Sequence, residues 1–323
     1  MKDEVNWITD ALSSKNLARE MTHYRIQDRE IRATDGRLTA GHPFDYTDEA
    51  FLVPGAEFEK LIKRLPGTVT IQKGEDKVTL RAGRSTGTIK TLPIEEWDYP
   101  GIDDDGWEDA PEGLISALKD LRPFVSDNAT HAWALGVALY HGYAYATNNV
   151  ALAGVRCDAL GEINAILPVW AVEFIIDRAE GLVDWAWTDT YVAFRWENGA
   201  WMRAQLIDAV FPEQAVKMIL SAQQSTPSQP ITNEFREAYK RAAELCPGAI
   251  VVTSNAISGE FGEARYTEGA EQETLVGRLE PTIWSTKHLT PVIDVATSWE
   301  PNAWPRSNFK GERIFGLLAG RHV

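Results

Sequence analysis

The chain has 323 residues, 44% of them hydrophobic and 24% charged, a balance that excludes a disordered chain and leaves room for two or three packed cores. Its formal net charge is -15, so bulk attraction to nucleic acid is excluded and any phosphate contact has to come from local clusters of Lys and Arg. Cys157 and Cys246 are the only cysteines, which argues against a zinc knuckle or a disulfide framework and suits a reducing cytoplasm.

No apolar signal segment follows Met1-Lys2-Asp3-Glu4, and no apolar run is long enough to span a membrane, so export and insertion are not expected. Glu4 to Ser14 reads as the first helix, with Val5, Ile8 and Leu12 as its apolar stripe. Tyr24-Arg25-Ile26-Gln27 and Glu30-Ile31-Arg32-Ala33 alternate as strands do, and Asp35-Gly36 supplies a hairpin turn. Phe51 to Pro100 then forms a unit: a short apolar strand ending at Pro54, a helix with Phe58, Leu61 and Ile62 on one face, and alternating strands.

Gly101 to Asp109 is acidic. Asp103, Asp105, Gly106 and Glu112 fit part of a calcium-loop frame, but Gly101 occupies the first ligand position and Pro100 blocks an entering helix, so an exposed linker is expected. Next come a helix at Glu112 to Phe124, with Leu114, Leu118 and Leu121 inward, and strands at His131 to Tyr140, Tyr143 to Thr147, Leu182 to Trp187 and Val192 to Trp196. Glu197-Asn198-Gly199 marks a hairpin, Ser221 to Pro230 a second linker, and Asn233 to Leu245 a helix stopped by Pro247-Gly248. Trp185, Trp187, Trp196 and Trp201 lie on these strands and are read as packing residues, not as a stacking surface for bases.

The unit around Pro54 comes back. At an offset of 114 (168 minus 54), Pro54 meets Pro168, Glu59 meets Glu173, Ile62 meets Ile176, Val78 meets Val192, Arg81 meets Arg195 and Leu92 meets Leu206. Upstream, Ile31 to Gly41 echoes Ala144 to Gly154 at an offset of 113. A weaker third copy sets Ser285, Leu289, Val292 and Ile293 where Pro54, Phe58, Leu61 and Ile62 stood, at an offset of 231. Three like domains in tandem account for the length.

A search for chemistry finds little. The six His residues make no metal spacing, and Gly83-Arg84-Ser85-Thr86-Gly87 lacks the Lys of a phosphate loop and reads as a β-turn. Asp35 is the most tempting carboxylate, but its echo is Asn148, which cannot act as a general base. A turn role suits both residues.

The order and spacing of these motifs carry a resemblance. Ala33-Thr34-Asp35-Gly36, Val53-Pro54-Gly55, Gly83-Arg84-Ser85 with Thr91-Leu92-Pro93, and Leu206-Ile207-Asp208-Ala209-Val210-Phe211-Pro212 resemble the bacterial-type DNA polymerase III β subunit, the sliding clamp. The resemblance implies an α+β fold of three tandem clamp domains, at 1–105, 106–222 and 228–323, each with two helices packed on antiparallel sheets. The domains would form part of a closed ring, a head-to-tail homodimer around duplex DNA. The chain begins almost at its first helix, so the strand that usually opens the first domain is in question.

The same resemblance implies a processivity factor, not an enzyme, with no cofactor and no metal. Its partners would be double-stranded DNA, bound without regard to sequence, a DNA polymerase and a clamp loader. Lys60, Lys63 and Arg64, Lys119 and Arg122, and Arg236, Lys240 and Arg241 recur at helical spacing, joined by Arg178 and Lys287. Such spacing suits a solvated helix face too, but its recurrence on five candidate helices of an acidic chain favours a DNA-facing one.

Carried over by position, a client-peptide pocket would use Ala134, Thr147, Leu152, Pro212, Val216, Leu317 and Leu318, and a dimer interface would include Glu244 and Leu245. Asn149-Val150-Ala151 and the run Leu318 to Val323 depart from the family pattern, as in a divergent, phage-type member with altered client preference. The rival reading is a clamp-fold interaction scaffold, for example in transcription, that encircles nothing.

Overall fold

Alternation in the sequence becomes antiparallel strands, interrupted at repeating places by short helices; the computed structural model describes residues 1–13, 15, 18–103, 105–227, 229–253, 256–261, 264–269, 282–301 and 306–322. The chain opens with α1 (Lys2–Ile8), β1 (His23–Gln27), β2 (Glu30–Thr34), β3 (Leu38–Pro43), β4 (Phe51–Pro54), α2 (Gly55–Arg64), β5 (Thr70–Lys73), β6 (Lys77–Ala82) and β7 (Ser85–Lys90). A second series follows: β8 (Glu108–Asp109), α3 (Leu114–Leu121), β9 (Gly136–Tyr140), β10 (Tyr143–Thr147), β11 (Ala151–Arg156), β12 (Asn164–Pro168), α4 (Val169–Asp177), β13 (Leu182–Trp187), β14 (Tyr191–Trp196), β15 (Trp201–Gln205) and α5 (Glu213–Gln224). The third comprises β16 (Gln229–Pro230), α6 (Asn233–Leu245), β17 (Ala249–Val252), β18 (Ala256–Phe261), β19 (Ala264–Gly269), β20 (Thr282–Ser285), α7 (Thr286–Val295), β21 (Ser298–Trp299), β22 (Arg306–Lys310), β23 (Ile314–Ala319) and β24 (Arg321–His322).

Each series contains a helix, four strands, a second helix and three strands. The corner at the second helix is the same each time: β4 ends at Pro54, β12 at Pro168 and β20 at Ser285, and the helix starts at the next residue. Proline suits that corner because its ring fixes φ and no N–H is wasted beside a first helical turn that has no acceptor for it.

By compactness the chain divides into two units, residues 1–110 with 177–206, and residues 111–176 with 207–323. The first is built on a sheet of order β4-β1-β2-β3-β15-β14-β13-β8 beside the three-stranded β5-β6-β7. The second has β12-β9-β10-β11-β23-β22-β21-β16 and β19-β18-β17-β20-β24. Each eight-stranded sheet thus joins four strands of one series to four of the next, at β3·β15 and at β11·β23.

These joints explain the glycines of the Ile31–Gly41 and Ala144–Gly154 echo. Gly41 lies opposite Trp201, and a Cβ placed on it would meet the indole ring at 2.4 Å. On Gly154 it would meet Ile219 Cδ1 at 2.9 Å. The Trp201 indole is pinned further, since its Nε1–H donates to the Glu30 carboxylate and the Arg32 guanidinium lies over the ring at 5.2 Å.

The buried stripes match expectation on α3 (Leu114, Leu118, Leu121) and α7 (Leu289, Val292, Ile293). On α2, Phe58 and Ile62 are buried while Leu61 is half-buried against Gly87. Trp185, Trp196 and Trp201 are buried as packing residues, whereas Trp187 is exposed. Gly83 has φ +58° in the turn between β6 and β7, as the turn reading of that segment required.

Three features differ from the sequence reading. The first helix ends at Ile8 and tightens into a 3-10 turn at Thr9–Ala11, where the Thr9 hydroxyl donates to the Val5 carbonyl at 2.7 Å; Ser14 lies outside the described residues. His131 to Tyr140 is a strand only from Gly136, because Ala132–Leu135 forms a 3-10 turn. Helix α5 was not foreseen, although Ala215, Ile219 and Ala222, all buried, give it a helical period.

The sheets differ at one edge. Strands β8 and β16 each add a fourth strand to their series, next to β13 and β21, and β5 has no such neighbour among the described residues. Replacing Gly41 by Val forces the Trp201 ring out of register and should cost about 2 kcal/mol, read as a lower denaturant midpoint. An unchanged midpoint would mean that the joint is slack.

Candidate functional site

The carboxylate most open to a catalytic reading is occupied on both oxygens. Asp35 Oδ1 accepts from the N–H groups of Arg37 and Leu38, both at 2.9 Å, and its second oxygen holds the Arg37 guanidinium. Asn148 repeats this, its Oδ1 accepting from Val150 at 3.1 Å and Ala151 at 2.8 Å. The preceding threonines agree as well: Thr34 donates to the Leu38 carbonyl, Thr147 to that of Ala151 and Thr253 to that of Ala256. The motif is a turn, and what the repeats share is hydrogen-bond geometry. No group of metal-ligating side chains occurs among the described residues, and Asp103 of the acidic linker accepts from the Tyr191 hydroxyl at 2.8 Å.

The ten basic candidates separate by surroundings. Lys60, Lys63 and Arg64 are exposed on α2, with Lys63 paired to Glu59. Lys119 is exposed on α3. Arg122, just beyond it, donates to Glu173 from Nε at 2.8 Å and also faces Asp127 at 3.7 Å. Lys287 on α7 reaches the same Asp127 at 3.5 Å. On α6, Lys240 pairs with Glu237, Arg241 with Glu268, and Arg236 is half-buried, donating to the Ala296 carbonyl.

Arg178 is engaged within the chain. Its side chain is 10% exposed, donates to the Trp7 carbonyl and to Asp10, and lies against the Trp7 ring. The position follows α4 directly, so its turn points the guanidinium back at α1. Helix spacing alone could not show that.

Three of the seven residues named for a peptide pocket share one cleft. Thr147, Leu152 and Leu317 line a cleft of about 190 Å³ together with Trp133, Ala215 and Met218. Beneath it lies a core cluster of Tyr145, Phe211, Ile219 and Phe315, on which Val216 packs from one side. Ala134 and Leu318 are buried elsewhere, and Pro212 serves as the N-cap of α5. Leu317 and Leu318 are neighbours on one strand, so their side chains leave opposite faces of the sheet and only one can line the cleft.

That alternation also locates the two faces. Leu152, Gly154, Phe315 and Leu317 look toward α5, while Phe309, opposite Gly316, stacks on Phe124 at the end of α3. The cleft therefore lies on the face away from Lys119. Trp133, Met218 and Arg306 were missed as lining residues, because each comes from an element whose place against β11 and β23 depends on sheet order.

No family model matches the sequence, and no curated protein matches it. Solved structures match over 100% of this chain and 97% of theirs: the DNA polymerase sliding clamp of Bacillus subtilis at a TM-score of 0.83 and 16% identity, and the DNA polymerase III subunit β of Pseudomonas aeruginosa at 0.82 and 15%. The DnaN sliding clamp of Bartonella birtlesii, in its complex with griselimycin, matches at 0.85 and 13%. The fold is that of DNA sliding clamps. More particularly, it is the fold of the bacterial polymerase III β subunit, carried by a sequence far diverged from these examples.

The turn assignment has a direct check. Asp35→Asn keeps an acceptor in place and should leave stability within about 0.5 kcal/mol, whereas Asp35→Ala leaves two N–H groups unmatched and should cost about 1 kcal/mol. Equal losses would remove the turn role.

Proposed function

We propose that the chain is a DNA sliding clamp, a polymerase processivity factor that closes around duplex DNA as a head-to-tail dimer. The observation that carries this is the pair of strand edges left over. The third strand of the first series, β3, joins the last strand of the second, β15, and β11 joins β23 in the same way. By that rule β19 should join the last strand of a further series. The remaining last strand is β7, and both β19 and β7 end their sheets among the described residues. Two copies, each offering β19 to the other's β7, make a ring of six domains, with each chain read as three domains at 1–105, 106–222 and 228–323.

The two edges suit each other chemically. Beside β7, a groove of about 490 Å³ is lined by Leu61 and Ile89 with Lys60, Arg64 and Lys90. On the β19 side are Glu268 and Glu260, and the exposed end of α6 with Glu244 and Leu245. Tyr266 and Arg241 hold the Glu268 carboxyl below its usual range, so it stays charged. Lys60 and Arg64 would then serve the interface as well as, or in place of, the pore.

Inside the ring, Lys119, Lys240 and Lys287 would touch phosphates and exchange them as the ring moves. Outside it, the cleft beside α5 would take short peptides from polymerase and loader; a clamp from Caulobacter crescentus with the same fold is described with a polyethylene glycol bound at its β-motif tethering region. No helix of the described residues is long and apolar enough to cross a membrane. Binding by topology needs no catalytic group.

Sedimentation should give a species of 72 kDa, twice the 36.0 kDa chain, at micromolar concentration. Leu61→Glu should halve that mass while preserving the circular dichroism spectrum, because Leu61 is only half-buried in one chain. A wild type that sediments at 36.0 kDa would count against a stable ring. In addition, Lys119→Ala should lower the salt slope of DNA retention by up to about 0.9 in log–log form, and an unchanged slope would remove Lys119 from the pore.

A further inference from the structure

The joints β3·β15 and β11·β23 correspond residue for residue, yet one face of them differs in chemistry. On the face that meets α5, β11·β23 sets Leu152 against Leu317 and Gly154 against Phe315. Subtracting 113 on the first strand and 114 on the second gives Thr39 against Arg203 and Gly41 against Trp201, which are pairs that β3·β15 makes. Gly41 is also paired with Arg32, and Trp201 with Arg195, so Arg32, Arg195 and Arg203 share that face across β2, β14 and β15. A helix like α5, which buries Ala215, Ile219 and Ala222, would have to strip water from these guanidinium groups to lie there.

The segment that follows Pro100 covers the face instead. Arg203 Nη1 donates to the Gly101 carbonyl at 3.0 Å, and its guanidinium lies over the Tyr191 ring at 3.8 Å. The Tyr191 hydroxyl donates to Asp103 Oδ2 at 2.8 Å. Trp107 Nε1 donates to the Asp103 carbonyl at 2.8 Å, and the Arg195 guanidinium lies over the Trp107 ring at 3.8 Å. Gly101 leaves little room, since a Cβ on it would meet Arg32 Nη1 at 2.9 Å. One short stretch thus touches side chains of β2, from the first series, and of β14 and β15, from the second. The compact units agree: residues 177–206 group with 1–110, so the division does not fall at this linker.

We propose that Gly101, Asp103 and Trp107 form a clasp that braces the β3·β15 joint, as α5 braces β11·β23, and that this linker is a rigid strap and not a hinge. Each contact is weak on a partly exposed surface, but all of them hold one segment to both sides of the joint. The inference involves neither DNA nor ring closure, so it stands or falls apart from the clamp reading.

The test is hydrogen–deuterium exchange with mass spectrometry on the full chain, comparing peptides from β3 and β15 with peptides from β11 and β23. Trp107→Ala and Arg195→Ala should each speed exchange in β3 and β15 about threefold and leave β11 and β23 unchanged. The double variant should exchange no faster than the faster single variant, because both changes remove the same contact. Arg203→Leu, which installs the residue found at the matching place of the second joint, should also speed exchange in β3 and β15. Circular dichroism checks that the variants fold.

Unchanged exchange in β3 and β15 in all three single variants would overturn the clasp and leave the segment as a passive cover. Equal acceleration in both joints would indicate a global loss of stability and overturn it as well. Multiplied effects in the double variant would overturn the pairing of Trp107 with Arg195 on which the clasp rests.

Discussion

A strand edge left open is the constraint on which the rest of this structure depends. Backbone N–H and C=O groups at an edge need partners, and a protein must cover such edges, blunt them or use them. Here two like joints close within the chain, at β3·β15 and β11·β23. Among the described residues, β7 and β19 end their sheets. The proposed ring extends the rule of the first two joints to a third, and Ile89 on β7, with Leu61 beside it, makes the extension chemically sensible.

Strand alternation then separates the functions. Because neighbours on a strand leave opposite faces, a single sheet can offer Leu317 to a cleft and Leu318 to the core beneath the helices. The same alternation puts Phe309 under α3 and Phe315 under α5. In the proposed clamp, DNA contacts and peptide contacts would use opposite faces of one layer. In a chain at -15 the proposed phosphate contact would rest on local lysines, among which Lys287 already reaches Asp127 and Lys240 reaches Glu237.

Much of the fold was legible in the sequence because the repeats announce it. The strand–helix corner at Pro54, Pro168 and Ser285, the turns at Asp35 and Asn148, and the stripes of α3 and α7 are local signals, and each appears in the structure at its residues. The glycines at 41 and 154 were visible as an echo but not as a reason, since Trp201 and Ile219 come from far along the chain. The site was less legible. Thr147, Leu152 and Leu317 were named, but Trp133, Met218 and Arg306 converge only through sheet order. Arg178 was grouped with the other basic residues, and its burial against Trp7 depends on packing that the sequence pattern does not encode.

The central claim is topological, so the most direct measurement is one that only topology can move. The protein is loaded onto nicked circular plasmid, with a loader if closure requires one, and separated by gel filtration before and after a single restriction cut. A ring built from the β7 and β19 edges stays on the circle at a salt concentration that abolishes simple phosphate binding, and leaves once the DNA has ends. Equal retention on circular and linear DNA, or loss from both at the same salt, would contradict it.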